Sequence, residues 1–103
     1  LALAEPTRPG SRPAITLAPG PNLTRGGATI RYTIPAATEA RLAIYDGSGR
    51  TVKTLTSGPQ PAGVHTATWD GTDQLGRNVG AGVYLVRLTA GGLTRVSRLT
   101  VVR

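Results

Sequence analysis

Between Ala28 and Ile34 polar and apolar side chains alternate without a break: Ala28, Ile30, Tyr32 and Ile34 fall on one face, Thr29, Arg31 and Thr33 on the other. A period of two marks a strand buried on one side. The same period returns in short runs, each cut off by turn residues. With 14 Gly and 8 Pro residues and no Met or Phe, the chain suits short strands and tight turns rather than helices. Strands are expected at residues 14–18, 28–34, 40–45, 51–56, 64–69, 81–90 and 93–102. Asp46-Gly47-Ser48-Gly49 makes a hairpin turn, Gly58-Pro59-Gln60-Pro61 a break, and Gly91-Gly92 the last turn. The chain carries no internal repeat.

Seven short strands with turn signals between them predict an all-β chain, an immunoglobulin-like β-sandwich of about seven antiparallel strands. With no Cys, it lies outside the antibody-type framework, and neither a disulfide nor a thiolate zinc site is available. A chain of 103 residues is the size of one domain. Residues 1–13, with Glu5-Pro6, Arg8-Pro9-Gly10 and Arg12-Pro13, read as a Pro-rich arm or linker, and residues 14–103 as the sandwich. The core is expected to draw on Trp69, Tyr32, Tyr84, Ile30, Leu42, Ile44, Leu88 and Leu99.

Twelve basic residues against five acids give a net charge of +7. They are spread along the chain with no basic run, and only three Tyr and one Trp are present for stacking, which argues against specific nucleic-acid binding. No apolar run reaches the roughly 20 residues of a membrane helix. Leu1-Ala2-Leu3-Ala4 lacks the charged start of a signal peptide, and the absence of an initiator Met reads as a processed chain or a piece of a larger one.

Asp70-Gly71-Thr72-Asp73 raises the question of chemistry. An EF-hand loop needs ligands at alternate positions and a Glu at the twelfth; here the acids are three apart and the twelfth position from Asp70 is Ala81. Asp70, Asp73 and Asn78 make only a looser metal set, and the turn reading, with Gly71 and Gly76 free to take left-handed backbone, is preferred. An acid pair at Asp70 and Asp73 would need one raised carboxyl. His65, the sole histidine, shares a strand face with Ala67 and Trp69 and reads as packed. No catalytic residue, cofactor or enzyme activity is expected. Trp69 is read as core, with a sugar-stacking platform as the weaker alternative.

The runs "PNLTRGGATIRYTIP", "RLAIYDGSGRTVKTL" and "AGVHTATWDGTDQLGRNVGAGVYLVRLTAGG" carry a family resemblance. From about Pro21 to Arg103 the chain resembles the immunoglobulin-like domain of the flagellar hook-capping protein FlgD and the C-terminal sorting domains of proteins exported by the type IX secretion system. The motif residues are Tyr45, Asp46, Gly49 and Arg50 in I-Y-D-x-x-G-R; Trp69, Asp70, Gly71, Asp73 and Gly76 in W-D-G-x-D-x-x-G; and Gly82, Val83 and Tyr84 in G-V-Y. Asn22-Leu23 stands where the family often has Asn-Pro, and Gly80-Ala81-Gly82 where it often has Ala-Ser-Gly.

The resemblance implies a non-catalytic module of a secreted or cell-surface bacterial protein, read by outer-membrane export machinery. Residues 82–90 and 93–103 then present the signal, with Gly82, Val83, Tyr84, Leu99, Val101 and Arg103 as its residues. The alternative is an extracellular filament in which neighbouring copies join by strand donation, since edge strands accept further strands. Leu1, Leu3, Ile15 and Leu17 would then fill a groove between sheets, in the same molecule or the next. A carbohydrate-binding module built on Trp69 is the second alternative.

Overall fold

The computed structural model describes residues 15–20, 23, 24 and 27–102. Among them the chain forms only strands: β1 Thr16–Gly20, β2 Leu23–Thr24, β3 Ala28–Ile34, β4 Thr38–Tyr45, β5 Thr51–Gln60, β6 Gly63–Trp69, β7 Gly82–Ala90 and β8 Leu93–Val101. One sheet has the order β1-β3-β6, the other β2-β8-β7-β4-β5. Seven strands pair antiparallel; the two-residue β2 runs parallel to β8 through Leu23 and Thr24. This is the immunoglobulin-like sandwich that the alternation predicts. Residues 1–13 and Arg103, with the arm assignment, Leu1 and Leu3, lie outside the described residues.

β3 shows why the pattern folds this way. Ala28, Ile30, Tyr32 and Ile34 are all buried, and the register places Ala28 opposite Trp69 and Tyr32 opposite His65 on β6. Facing them from the other sheet are Leu42 and Ile44 of β4, Tyr84, Val86 and Leu88 of β7, and Leu99 and Val101 of β8. A one-residue slip would turn each of these sets toward water, so the two inner faces lock each other's register. Ile15 is buried in this core and Leu17 packs against it.

β2 was not expected, β6, β7 and β8 each differ by one residue at one end, and three boundaries bear on the pairing. β1 begins at Thr16 and runs to Gly20. β4 begins at Thr38. β5 continues through Gly58 and Pro59 to Gln60, where a break was expected after Thr56, because β5 is the last strand of its sheet and an edge strand accommodates a proline. Its pairing with β4 is irregular at Leu42/Ala43 and Ile44/Tyr45. The β7–β8 hairpin closes Ala90 on Leu93 through Gly91 and Gly92, with φ of 56° and 80°, the left-handed backbone a two-residue turn of this kind demands.

Candidate functional site

Two loops gather most of the acidic side chains at one end of the sandwich. The first joins β4 to β5 within one sheet; the second, residues 70–81, carries the chain from β6 to β7 in the opposite sheet. Asp46 N donates to the Arg50 carbonyl at 2.9 Å and Gly49 N to the Asp46 carbonyl at 3.0 Å; Asp73 N donates to the Arg77 carbonyl at 2.8 Å and Gly76 N to the Asp73 carbonyl at 3.0 Å. Ser48 N and Arg50 N reach Asp46 Oδ1 at 2.9 and 3.0 Å, and Leu75 N and Arg77 N reach Asp73 Oδ1 at 2.9 and 3.0 Å. Arg50 Nε then donates to Asp46 Oδ2 at 3.4 Å, and Arg77 Nε to Asp73 Oδ2 at 3.3 Å. Gly49 and Gly76 close the turns at φ of 90° and 81°.

The chain therefore does contain a short repeat, D-x-x-G-R at 46–50 and at 73–77, contrary to the expectation of none. Its logic is local. An aspartate at the first position accepts from the amides two and four residues on, a glycine supplies the left-handed residue, and the arginine folds back onto the carboxylate.

Asp70 sits in a different setting. Its Oδ1 accepts from Thr72 N at 3.1 Å and from the Thr72 hydroxyl, and it pairs with Lys53 Nζ at 3.5 Å. Lys53 also donates to Thr72 Oγ1 at 2.9 Å, so β5 is tied to the crossing loop. Beneath it Trp69 is fully buried, donates from Nε1 to the Thr72 carbonyl at 2.8 Å, and meets the Tyr84 ring at 5.7 Å between centroids. Gly71 takes φ of 81° and its carbonyl accepts from Val79 N at 3.0 Å, while Thr72 and Asn78 form a backbone bridge. The Tyr84 hydroxyl finds its partner in the Gly80 carbonyl at 2.7 Å. Gly27 lies so close that a Cβ there would run into the Trp69 carbonyl oxygen.

These bonds decide the electrostatics. The Ser48 hydroxyl and the Arg50 amide hold the Asp46 carboxyl down to about 2. The Thr72 hydroxyl keeps Asp70 below its ordinary value, and the Arg77 amide does the same for Asp73. A carboxyl that donates a proton near neutral pH needs the opposite shift. On the loose metal set, the Oδ1 atoms of Asp70 and Asp73 are already engaged by protein donors, and the described residues hold no group of three His, Cys, Asp or Glu placed for a metal. Trp69, enclosed in the core, offers no face to a sugar ring. His65 stacks on Tyr32 at 5.2 Å and its Nε2 donates to the Pro61 carbonyl at 2.7 Å.

The residues read as assembly or sorting positions separate by burial. Ile15 lies in the core of its own molecule with Leu17 against it, so both serve this sandwich. Tyr84, Leu99 and Val101 are buried, whereas Gly82 and Val83 are exposed. Tyr45 opens onto the outer face of the larger sheet, where Arg41 Nη1 donates to its hydroxyl at 2.6 Å and Arg87 lies 5.9 Å from its ring centre. Burial pushes the phenol up, but the Arg41 hydrogen bond and the charges of Arg41 and Arg87 prevail and lower it. Lys53, Thr72 and Arg77 escaped the sequence reading, although Arg77 was visible as the end of a second D-x-x-G-R.

Fold and loops together define an immunoglobulin-like sandwich module whose acids serve as turn clamps. A family model described as the FlgD Ig-like domain matches residues 20–92, and the chain belongs to that family. The basal-body rod modification protein FlgD of Salmonella typhimurium is 49% identical over 47 residues, 46% of this chain. That match spans 20% of the relative's length. Among solved structures, dimeric latent PorU from Porphyromonas gingivalis is similar over 85% of this chain and 9% of its own, with a TM-score of 0.69 and 26% identity. FlgD from P. aeruginosa is similar over 73% of this chain and 60% of its own, with a TM-score of 0.54 and 25% identity. PorZ, described as a surface component of the type IX secretion system of P. gingivalis, shares the fold at a TM-score of 0.57 and 22% identity, over 84% of this chain and 11% of its own.

Proposed function

We propose that this domain is a non-catalytic module for export and assembly at the bacterial cell surface, recognised by a type IX-like outer-membrane machine. The observation that carries the reading is the likeness to PorU, which covers 85% of this chain and 9% of PorU. Membership of the FlgD Ig-like family supports a structural role. The lowered carboxyls add to this, since the acids of the loops are committed to backbone amides. Among the described residues no helix is long and apolar enough to cross a membrane.

The test is a fusion of the 103-residue chain to the C-terminus of a soluble reporter, expressed in a bacterium with a type IX machine and in its export-deficient counterpart. Surface display of the reporter in the first strain alone is the expected result. Retention in both would refute the export role and leave a structural module only.

A further inference from the structure

The two D-x-x-G-R turns meet across a cleft of about 570 Å³ whose lining includes Arg50 and Arg77 at the rim and Val52, Val79 and Tyr84 as apolar surface. That volume falls within the roughly 300–1,000 Å³ of small-ligand sites. We propose that this cleft binds an oxyanion, a phosphate or carboxylate group on a compact carrier, held between the Arg50 and Arg77 guanidinium groups.

Three features support this assignment. Each guanidinium contacts the aspartate of its own turn through Nε, at 3.4 and 3.3 Å, which biases its direction toward the cleft before any ligand arrives. Neither arginine has a protein acceptor for its outer Nη atoms among the described residues, which leaves the planar fork that matches an oxyanion available. The pairs are also turned the right way. Asp46 and Asp73 also line the cleft, but the side chains of Arg50 and Arg77 are 85% and 72% exposed and those of the two aspartates only 26% and 28%, so the guanidinium is the more accessible member of each pair. Asp46 and Asp73 spend their inner oxygens on backbone amides, which disfavours a cation in the same place. The apolar patch gives the carrier a surface to rest on. Fixing the donors in advance lowers the ordering cost of binding.

The site needs only the two turns and stands apart from the export reading. The test is a titration of the ¹⁵N-labelled full chain with inorganic phosphate, and separately with malonate, at constant ionic strength, followed by amide and arginine Nε resonances. Saturable shifts confined to residues 48–52 and 75–80 and to the two Arg Nε groups are expected. Arg50→Gln/Arg77→Gln should weaken binding at least tenfold, and Arg50→Lys/Arg77→Lys, which keeps the charge and loses the fork, should weaken it less. Arg87→Gln, on the outer sheet face, should bind as the parent does. Tighter phosphate binding assigns a phosphoryl ligand, tighter malonate binding a carboxylate. Non-saturating drift spread over all arginines, or equal binding by the Gln double variant and the Arg87 variant, would overturn the proposal.

Discussion

The turns at 46–50 and 73–77 share one hydrogen-bond frame and serve different parts of the fold. The first reverses the chain between adjacent strands, where ladder bonds of β4 and β5 already hold both ends. The second lies inside a crossing between sheets, where no ladder helps and the ends depend on Trp69, Gly71, Lys53 and the Thr72–Asn78 bridge. Local chemistry thus makes the same turn twice, and tertiary packing determines how much depends on it. The 73–77 turn and its supports are expected to be the more sensitive region.

Trp69→Ala is the most severe way to sharpen this contrast. It removes a fully buried indole together with its anchor on Thr72, and should cost about 3–5 kcal/mol in chemical denaturation. A loss below about 1 kcal/mol would mean that the crossing does not rest on the core. Gly27→Ala forces a methyl toward the Trp69 carbonyl and should cost roughly 1–3 kcal/mol by the same measurement, with chemical shifts perturbed at 69–73 rather than at 46–50. Tyr84→Phe leaves the Gly80 carbonyl without its donor and should cost about 1 kcal/mol.

The smallest effects separate the twin turns directly. Asp73→Ala should lower the thermal midpoint more than Asp46→Ala, although Asp46 gives up one bond more, that from the Ser48 hydroxyl. Equal midpoints would show the two contexts to be equivalent and break the comparison.

Legibility in the sequence follows the same division. β3 could be read residue by residue, because one face is buried and every second side chain reports it. The Asp46 turn was legible because Asp, Ser and Gly each act within a few residues of themselves. The extension of β5 through Pro59 was not, since the permission comes from its place at a sheet edge, a fact of topology. The second D-x-x-G-R was spelled out but masked by the question whether Asp70 and Asp73 form a pair. Lys53 on Asp70 could not be foreseen, for it links β5 to a loop beyond the next strand. The cleft between the turns is likewise a product of where the sheets place them.

The loop carboxylates of Asp46, Asp70 and Asp73 act as turn clamps, each accepting from backbone amides of its own turn. A lowered folded-state pKa adds stability that is fully present above the ordinary aspartate value of 3.8 and is lost as pH falls toward the folded one, so the domain should weaken progressively from about pH 4 toward about 2. The most direct measurement is a carboxyl-detected NMR titration of Asp46, Asp70 and Asp73 in the folded protein, with and without calcium. All three should titrate below the ordinary range, Asp46 lowest at about 2, with no response to the metal. A raised value at Asp70 or Asp73, or a saturable calcium shift there, would contradict the account and return those residues to chemistry.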